Sequence, residues 1–266
     1  MGTDPTKIAV VGLGAMARSL IRALQTRADG LQVGAALVRT APSHSLDEKL
    51  RVFDDLEQLL AWGPSLVAEC AGHAAVGQYV PRLLSTGIPV ILASIGALAD
   101  AALRAELAAS VTPSGSLVLV PGAIGGLDGL RAARLAGLDQ VIYSGSKPPA
   151  AWAGSHADTL IDLGAVMDPA EFFSGSAAEA ARLFPRNANV CAAVALSGLG
   201  FEHTQVRLVA DPSARTNAHR IQARGAFGRF EIVLENAALP ENPKTSWLAA
   251  LSVEAAVRQH FALSPL

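Results

Sequence analysis

The chain has 266 residues, a formal net charge of −2 and 51% hydrophobic residues. This length and apolar content suffice for two domains with buried cores and exclude a disordered chain. The near-neutral charge, without a run of Lys or Arg, argues against nucleic acid and membrane surfaces as partners. No apolar run is long enough to cross a bilayer, and the polar start has no signal-peptide pattern. We therefore expect a cytoplasmic protein that acts on a small molecule.

The first strand-like run, IAVV, leads into a dinucleotide-binding pattern. It is followed by Gly12, Gly14 and Ala17 in the spacing GxGxxA. Gly12 allows a sharp turn, Gly14 allows backbone N–H groups to approach a pyrophosphate, and the small Ala17 allows the next helix to pack closely. The helix N-terminus then favours phosphate charge. Cofactor contacts are predicted at Gly12, Gly14, Ala15 and Met16.

Strand-like and helix-like segments alternate through the first half of the chain, which predicts α/β structure with a Rossmann-type, doubly wound parallel sheet. The predicted strands are 8–11, 33–38, 66–71, 89–93 and 117–120, and the predicted helices are 15–27, 56–60, 76–84 and 101–109. Ligands lie at the carboxyl edge of such a sheet. Small residues there are predicted to contact the cofactor, namely Ala71, Gly72 and Ser94.

The second predicted strand ends in Leu37-Val38-Arg39-Thr40. An NAD-selective site places a carboxylate here to bind the adenosine ribose, and this sequence has none. Arg39 and Thr40 instead offer donors that suit a ribose 2′-phosphate. The cofactor is therefore predicted to be NADP or NAD. The alternative is that Arg39 is only a solvated residue at a strand end.

The alternation ends after Gly122, so we predict a dinucleotide-binding domain at 1–122 and an α+β substrate and dimerisation domain at 123–241. Residues 242–266 are predicted to form a helix that returns to the first domain. Asn242 is expected to cap this helix and Pro243 to occupy its first turn. The apolar residues expected to face the core are Trp247, Leu248, Leu251 and Ala255.

Four segments spread over the chain resemble the L-aspartate dehydrogenase family: PGAIGG at 121–126, PRNAN at 185–189, TNAH at 216–219 and NPKTS at 242–246. The resemblance implies a Rossmann domain followed by an α+β domain. It also implies oxidation of L-aspartate by NAD or NADP to iminoaspartate, which hydrolyses to oxaloacetate and ammonia, with a link to NAD biosynthesis. By the same resemblance, Ala123 and Asn189 correspond to dinucleotide contacts and His219 to the catalytic acid/base.

The residues themselves are compatible with this chemistry. Hydrolysis of an imine needs a group that takes a proton from water and returns it to ammonia, and histidine titrates near neutrality. His73, at a predicted cofactor edge, is the alternative to His219. A dicarboxylate needs cationic and polar partners. The candidates for that role are Lys147, Asn187, Asn217, Lys244 and Thr245.

Two other interpretations stay open at this point. One is a related oxidoreductase, similar to homoserine dehydrogenase or dihydrodipicolinate reductase, because the fold alone does not separate these enzymes. The other is a dinucleotide sensor without catalysis. No pattern of metal ligands is present in the sequence, so no metal is predicted. A homodimer is expected, because twofold dimers are the commonest soluble oligomers.

Overall fold

The computed structural model describes residues 6–27, 30–40, 49–185 and 188–261, with residues 243 and 244 described by their backbone. The chain divides into two compact units. Unit 1 comprises the residues up to Val120 together with those from Ala250 onward, and unit 2 comprises Pro121–Ala249.

Unit 1 contains a six-stranded parallel sheet whose strand order is β3-β2-β1-β4-β5-β6. This order is typical of the Rossmann fold and confirms the predicted fold class. The strands are β1 (Ile8–Val11), β2 (Val33–Leu37), β3 (Arg51–Phe53), β4 (Leu66–Glu69), β5 (Val90–Leu92) and β6 (Leu117–Leu119). The helices are α1 (Ala15–Thr26), α2 (Leu56–Trp62), α3 (His73–Ser85) and α4 (Ala101–Ser110), with a 3₁₀ turn at Ile95–Ala99.

The central strands of unit 1 are almost entirely apolar because helices cover both faces of a parallel sheet. Every residue of β1 and β4 is buried, including one carboxylate, Glu69. Helix α1 presents Ala17, Leu20 and Leu24 to this sheet at helical spacing. Because β2, β1 and β4 are neighbouring parallel strands, their C-terminal ends lie at one edge of the sheet.

Unit 2 contains a five-stranded sheet of order β11-β10-β7-β9-β8, in which only the β7–β9 pair is parallel. Its strands are β7 (Leu138–Lys147), β8 (Ala170–Ser176), β9 (Gln205–Ala210), β10 (Asn217–Gly225) and β11 (Gly228–Asn236). Its helices are α5 (Leu127–Ala136), α6 (Pro149–Trp152), α7 (Ala177–Leu183) and α8 (Ala188–Ser197), with a 3₁₀ turn at His156–Thr159. A separate two-stranded sheet joins β12 (Ala238–Leu239) to β13 (Asn242–Ser246).

The last helix, α9 (Trp247–His260), returns to unit 1 as predicted. Val253 and Val257 are fully buried in the same core cluster as Ile8, Val10 and Leu20. The register of this helix differs from the prediction. The apolar stripe expected to face the core contains Trp247 and Leu251, which are 46% and 42% exposed.

The predicted start of the last helix was also wrong. Asn242 is not a helix cap but the first residue of β13, where it pairs with Leu239 across a hairpin, and the helix begins five residues later at Trp247. The Asn242 side chain donates to Thr245 Oγ1 at 2.9 Å. This side-chain bond within the strand, together with hairpin pairing, competes with the helical conformation that the Asn-Pro pair favours.

Within the described residues, no helix combines the length and apolar content needed to cross a membrane.

Candidate functional site

A cavity of about 770 Å³ lies at the carboxyl edge of the unit 1 sheet. It is formed by the segments that follow β1, β2 and β4, where β1 and β4 are neighbours and the strand order reverses. This is the position at which open α/β sheets bind dinucleotides. The lining includes most of the predicted cofactor residues, namely Gly12, Gly14, Arg39, Thr40, Ala71 and Gly72.

The glycine turn after β1 fits a pyrophosphate. Gly12 has a φ of +89°, and a Cβ built on it would lie 2.8 Å from the Cβ of Ala71. Gly14 is the N-cap of α1, so no side chain caps the helix, and the first helical turn carries no acidic residue. The exposed N–H groups of this turn are therefore suited to phosphate oxygens. Ala15 and Met16 are the first two residues of that helix, and their predicted cofactor contacts stay predictions.

Glu69, the last residue of β4, holds two loops of this edge together. Its Oε1 accepts hydrogen bonds from the N–H groups of Ala71 and Gly72, at 2.8 and 2.9 Å. It also accepts from the Ser94 hydroxyl at 3.0 Å, while Oε2 accepts from the Ser94 N–H at 2.9 Å. The carboxylate is fully buried, and these charge-assisted bonds offset the loss of its hydration.

Ser94 was predicted as a cofactor contact; its hydroxyl donates to Glu69, it is not among the residues that line the described cavity, and its cofactor contact stays a prediction. Glu69 is a site residue that the sequence analysis did not single out. A carboxylate at the end of an otherwise apolar strand, followed by Cys, Ala and Gly, was the available signal.

Arg39 and Thr40 follow β2 and are exposed at the margin of the cavity. Their donors are therefore accessible to a ligand that enters it. Cys70 also lines the cavity, but burial and the neighbouring Glu69 charge raise the pKa of its thiol far above the ordinary value. Its thiol is consequently protonated and a poor nucleophile.

A second polar cluster lies in unit 2, on one face of the β7–β10 strand pair. The register pairs His219 with Gly145 and Ile221 with Tyr143, so that Tyr143, Gly145, Lys147 and His219 share a face. The Tyr143 hydroxyl is 2.9 Å from His219 Nδ1, within hydrogen-bond distance. Both side chains are buried, at 3% and 5% exposure. Nδ1 is thereby occupied by the phenol, which makes Nε2 the nitrogen suited to exchange protons with a ligand.

Lys147 ends β7 and lies against an aromatic wall. Its Nζ is 4.9 Å from the centroid of the Trp152 ring. The Trp152 indole donates to the Val209 carbonyl at 3.0 Å and packs edge-on against Phe172. Burial lowers the pKa of Lys147 to about 8. An anionic ligand near Nζ would reverse this shift, because it favours the charged ammonium.

The electrostatic environment keeps His219 neutral at physiological pH. Burial, and secondarily the nearby Lys147 charge, lower the pKa of the imidazole to about 4. A neutral ring can accept a proton at pH 7, and the imidazolium that forms returns the proton readily. A buried histidine beside a half-buried lysine, both with lowered pKa values, marks this cluster as a candidate site.

The remaining predicted residues are placed as follows. The Ala123 carbonyl accepts from Asn236 Nδ2 at 2.7 Å, and Asn189 lies in the first turn of α8. Asn217 begins β10, in register with Asn236. Thr245 lies in the two-stranded sheet. His73, the alternative catalytic histidine, begins α3 and lines the unit 1 cavity.

Asn187 lies outside the described residues, as does the side chain of Lys244. Among the residues that the structure does describe, no group of three His, Cys, Asp or Glu side chains is arranged to hold a metal ion.

Two family models match the chain, one in each half. Residues 12–121 match the NAD binding domain described for homoserine dehydrogenase, and residues 128–260 match the C-terminal domain of aspartate dehydrogenase. The first match covers the glycine turn and the Glu69 loops, and the second covers the Tyr143, Lys147 and His219 cluster.

Relatives align over nearly the whole chain. An L-aspartate dehydrogenase from Serratia proteamaculans is 46% identical over 258 residues, which cover 95% of this chain and 96% of that protein. One from Pseudomonas aeruginosa is 43% identical over 259 residues, covering 95% and 97%.

Solved structures also match the chain over nearly its whole length. An aspartate dehydrogenase from Thermotoga maritima matches with a TM-score of 0.75 and 26% identity over 98% of this chain and 97% of that one. A hyperthermophilic archaeal homoserine dehydrogenase matches with a TM-score of 0.58 at 12% identity, covering 98% of both chains, which shows a common fold alone. On these identities and coverages, the chain belongs to the L-aspartate dehydrogenase family.

Proposed function

We propose that the protein catalyses the reversible, NAD(P)-dependent oxidative deamination of L-aspartate to oxaloacetate and ammonia through iminoaspartate. The observation that carries this proposal is the buried cluster of unit 2, in which His219 is held by Tyr143 at 2.9 Å and shares a sheet face with Lys147. This cluster lies in the half of the chain that matches the aspartate dehydrogenase C-terminal domain.

We assign dinucleotide binding to unit 1 and substrate chemistry to unit 2. The Gly12 turn and the N-terminus of α1 suit the pyrophosphate, and Arg39 and Thr40 suit the ribose 2′-hydroxyl or 2′-phosphate. When bound, the oxidised dinucleotide accepts the hydride that leaves the substrate Cα. All other steps are proton transfers and charge binding, which the residues of the chain supply.

Lys147 is the proposed partner of a substrate carboxylate. Its ammonium lies over the Trp152 ring, and burial lowers its pKa to about 8, so a carboxylate nearby would favour its charged form. A carboxylate placed beside Nζ neutralises this charge and also counters its effect on the imidazole, so the pKa of His219 rises when substrate binds. Substrate binding therefore prepares the histidine for acid/base work.

His219 is the proposed acid/base. After hydride loss the substrate carries a C=N bond, and Nε2 takes a proton from the water molecule that adds to this carbon. The resulting imidazolium gives the proton to the amine nitrogen, which leaves as ammonia while the C=O bond forms and the neutral imidazole takes the hydroxyl proton. One histidine thus acts in both halves of the hydrolysis.

The alternatives are less well supported. A dinucleotide sensor without catalysis has no use for a half-buried lysine beside a buried histidine, since both groups lose hydration in the folded state. We further propose that the enzyme acts as a homodimer in the cytoplasm, with L-aspartate, oxaloacetate and ammonia as its small-molecule partners and neither nucleic acid nor membrane among them. Symmetric twofold dimers are the commonest oligomers among soluble proteins, which supports the proposed homodimer.

The proposed reaction is tested directly with purified protein. We expect L-aspartate to reduce NAD or NADP, and oxaloacetate with ammonium to oxidise the reduced cofactor, because both directions use the same groups. Absorbance of the reduced nicotinamide measures both reactions, with L-homoserine and D-aspartate as controls. A protein that binds dinucleotide yet is inactive in both directions would be a sensor.

Arg39→Ala is expected to weaken the binding of NADP selectively. Loss of a charge-assisted bond to the 2′-phosphate costs roughly 1.5–3 kcal/mol, which appears as a higher KM for NADP with an almost unchanged KM for NAD. Arg51→Ala is the matched control, because Arg51 is an exposed arginine on the adjacent β3 strand and does not line the described cavity. An equal loss for both cofactors would mean that Arg39 is structural.

His219→Ala is expected to lower kcat by roughly 10²–10⁴-fold, the usual effect of losing a general acid/base. The dissociation constant for NADPH, measured by fluorescence, should stay unchanged. The exposed His203 of the same unit provides the control variant His203→Ala. Near-normal turnover in a folded His219→Ala protein would assign proton transfer to another residue, and His73 is the next to test.

Binding of a dicarboxylate is expected to weaken as the pH rises from 7 to 9, because the proton on Lys147 is lost with a pKa of about 8. Succinate is the suitable ligand, since it has no amine and is a dianion throughout this range. Its competitive inhibition constant should rise toward about tenfold per pH unit above the lysine pKa.

The variant Lys147→Met should bind succinate more weakly at pH 7, by roughly 10- to 100-fold, and without this pH dependence. Lys7→Met is the matched control, because Lys7 also lies over a tryptophan ring, 5.7 Å from the Trp62 centroid. A Lys147→Met profile that still follows the wild-type pH dependence would exclude Lys147 as the carboxylate partner.

A further inference from the structure

We propose that Tyr143 is a positioning residue for His219, and that position 145 must be glycine to leave room for its hydroxyl. Tyr143 holds Nδ1 while Nε2 both accepts and donates the transferred proton. This inference rests on the proposed function for its kinetic consequences, but the hydrogen bond can be tested without any activity.

The geometry starts from two neighbouring strands. Tyr143 lies on β7 and His219 on β10, two positions apart in register, since His219 pairs with Gly145. The phenol therefore reaches diagonally across the pair and passes over Gly145 to Nδ1, at 2.9 Å. The two rings are inclined by only 20°, with centroids 6.0 Å apart. This contact fixes the imidazole plane as well as one of its nitrogens.

Gly145 leaves the space that the Tyr143 hydroxyl needs to reach His219 Nδ1. A Cβ built on this residue would lie 2.8 Å from Tyr143 Oη and 3.3 Å from Cζ, whereas its distance to the Leu208 Cδ2 atom is an ordinary 3.5 Å. The glycine is thus required by the hydroxyl of Tyr143. The strand itself does not require a glycine here, because β7 pairs regularly with β10 and β9 on both sides of Gly145. The glycine is explained by the Tyr143 hydroxyl.

A hydroxyl suits a histidine that must act first as a base and then as an acid. When the ring is a base, Nδ1 carries the hydrogen and donates to Tyr143 Oη, leaving the Nε2 lone pair available. When Nε2 carries the hydrogen on a neutral ring, the phenol rotates its own hydrogen toward Nδ1 and donates. A carboxylate accepts only, so it would stabilise the imidazolium and resist the return of the proton.

The groups that face this pair favour the neutral forms. Lys147, on the same strand as the tyrosine, opposes a positive charge on the imidazole. Cys191, on α8, lies near the phenol, and burial raises the pKa of Tyr143 far above its ordinary value. The phenol therefore stays protonated throughout the working range and serves as a hydrogen-bond partner without becoming a charged one.

The first test is Tyr143→Phe in the holoenzyme. We expect kcat to fall roughly 10- to 100-fold, less than for His219→Ala, with KM for L-aspartate changed by less than about twofold. The acidic limb of the pH profile should move to lower pH, because the imidazolium loses the acceptor for Nδ1–H. Ile221→Val is the packing control, since Ile221 is fully buried opposite Tyr143 and makes no polar contribution.

The second test combines two variants. Gly145→Ala should lower kcat to a similar extent, because its Cβ displaces the Tyr143 hydroxyl. In the double variant Tyr143→Phe/Gly145→Ala the oxygen that clashes is gone, so the alanine should add little further loss. Contacting residues that act through one interaction give such non-additive effects. Additive losses would overturn the proposal, as would a Tyr143→Phe enzyme that keeps the wild-type kcat and pH profile.

The third test uses no substrate. In protein labelled with ¹⁵N-histidine, the His219 signals are identified by their absence from His219→Ala, and the Nδ1 shift at pH 7 should change in Tyr143→Phe but not in Ile221→Val. An unchanged shift would overturn the proposal even if the enzyme is active. Conversely, an inactive wild-type protein whose Nδ1 shift responds to Tyr143→Phe would refute the proposed reaction while supporting the hydrogen bond.

Discussion

The dinucleotide site depends on one buried carboxylate. Glu69 bonds to three backbone N–H groups and one hydroxyl, and its partners belong to the loop after β4 and to the loop after β5. Without them, a fully buried carboxylate would be strongly destabilising. The two loops are therefore held in one arrangement by the same charge. The close approach of Gly12 to Ala71 extends this constraint to the turn after β1, because Ala71 itself bonds to Glu69.

Unit 2 solves a different problem, which is to hold a buried imidazole and a half-buried ammonium in fixed positions on one sheet face. Aromatic contacts and a phenol serve this purpose. Trp152 lies under the Lys147 ammonium and Tyr143 bonds to the imidazole. Neither the indole nor the phenol carries a charge, so neither of these two contacts by itself fixes the protonation state of the basic group that it touches.

The sequence predicted the parts of the structure that depend on local pattern. The glycine turn and the alternation of unit 1 follow from neighbouring residues, and the structure confirms them. The Tyr143 contact with His219 joins residues 76 positions apart and has no local signature. Glu69 was overlooked because its partners lie in two loops. The face of α9 was misassigned because Trp247 and Leu251 are apolar yet exposed, while Glu254 is buried beside Arg258 at 2.8 Å.

The two recognition tasks proposed for Arg39 and for the unit 2 cluster are consequently under different physical control. Arg39 is exposed at the cavity margin, where water and salt screen its charge and a single substitution changes little else. His219 is buried and Lys147 half-buried on one sheet face, where the phenol, the indole and the missing Cβ of Gly145 must fit together. If Arg39 sets cofactor preference as proposed, that preference can change through a surface residue without disturbing the fold. The proposed substrate cluster allows no such independence, because a change in one of its members alters the space available to the next.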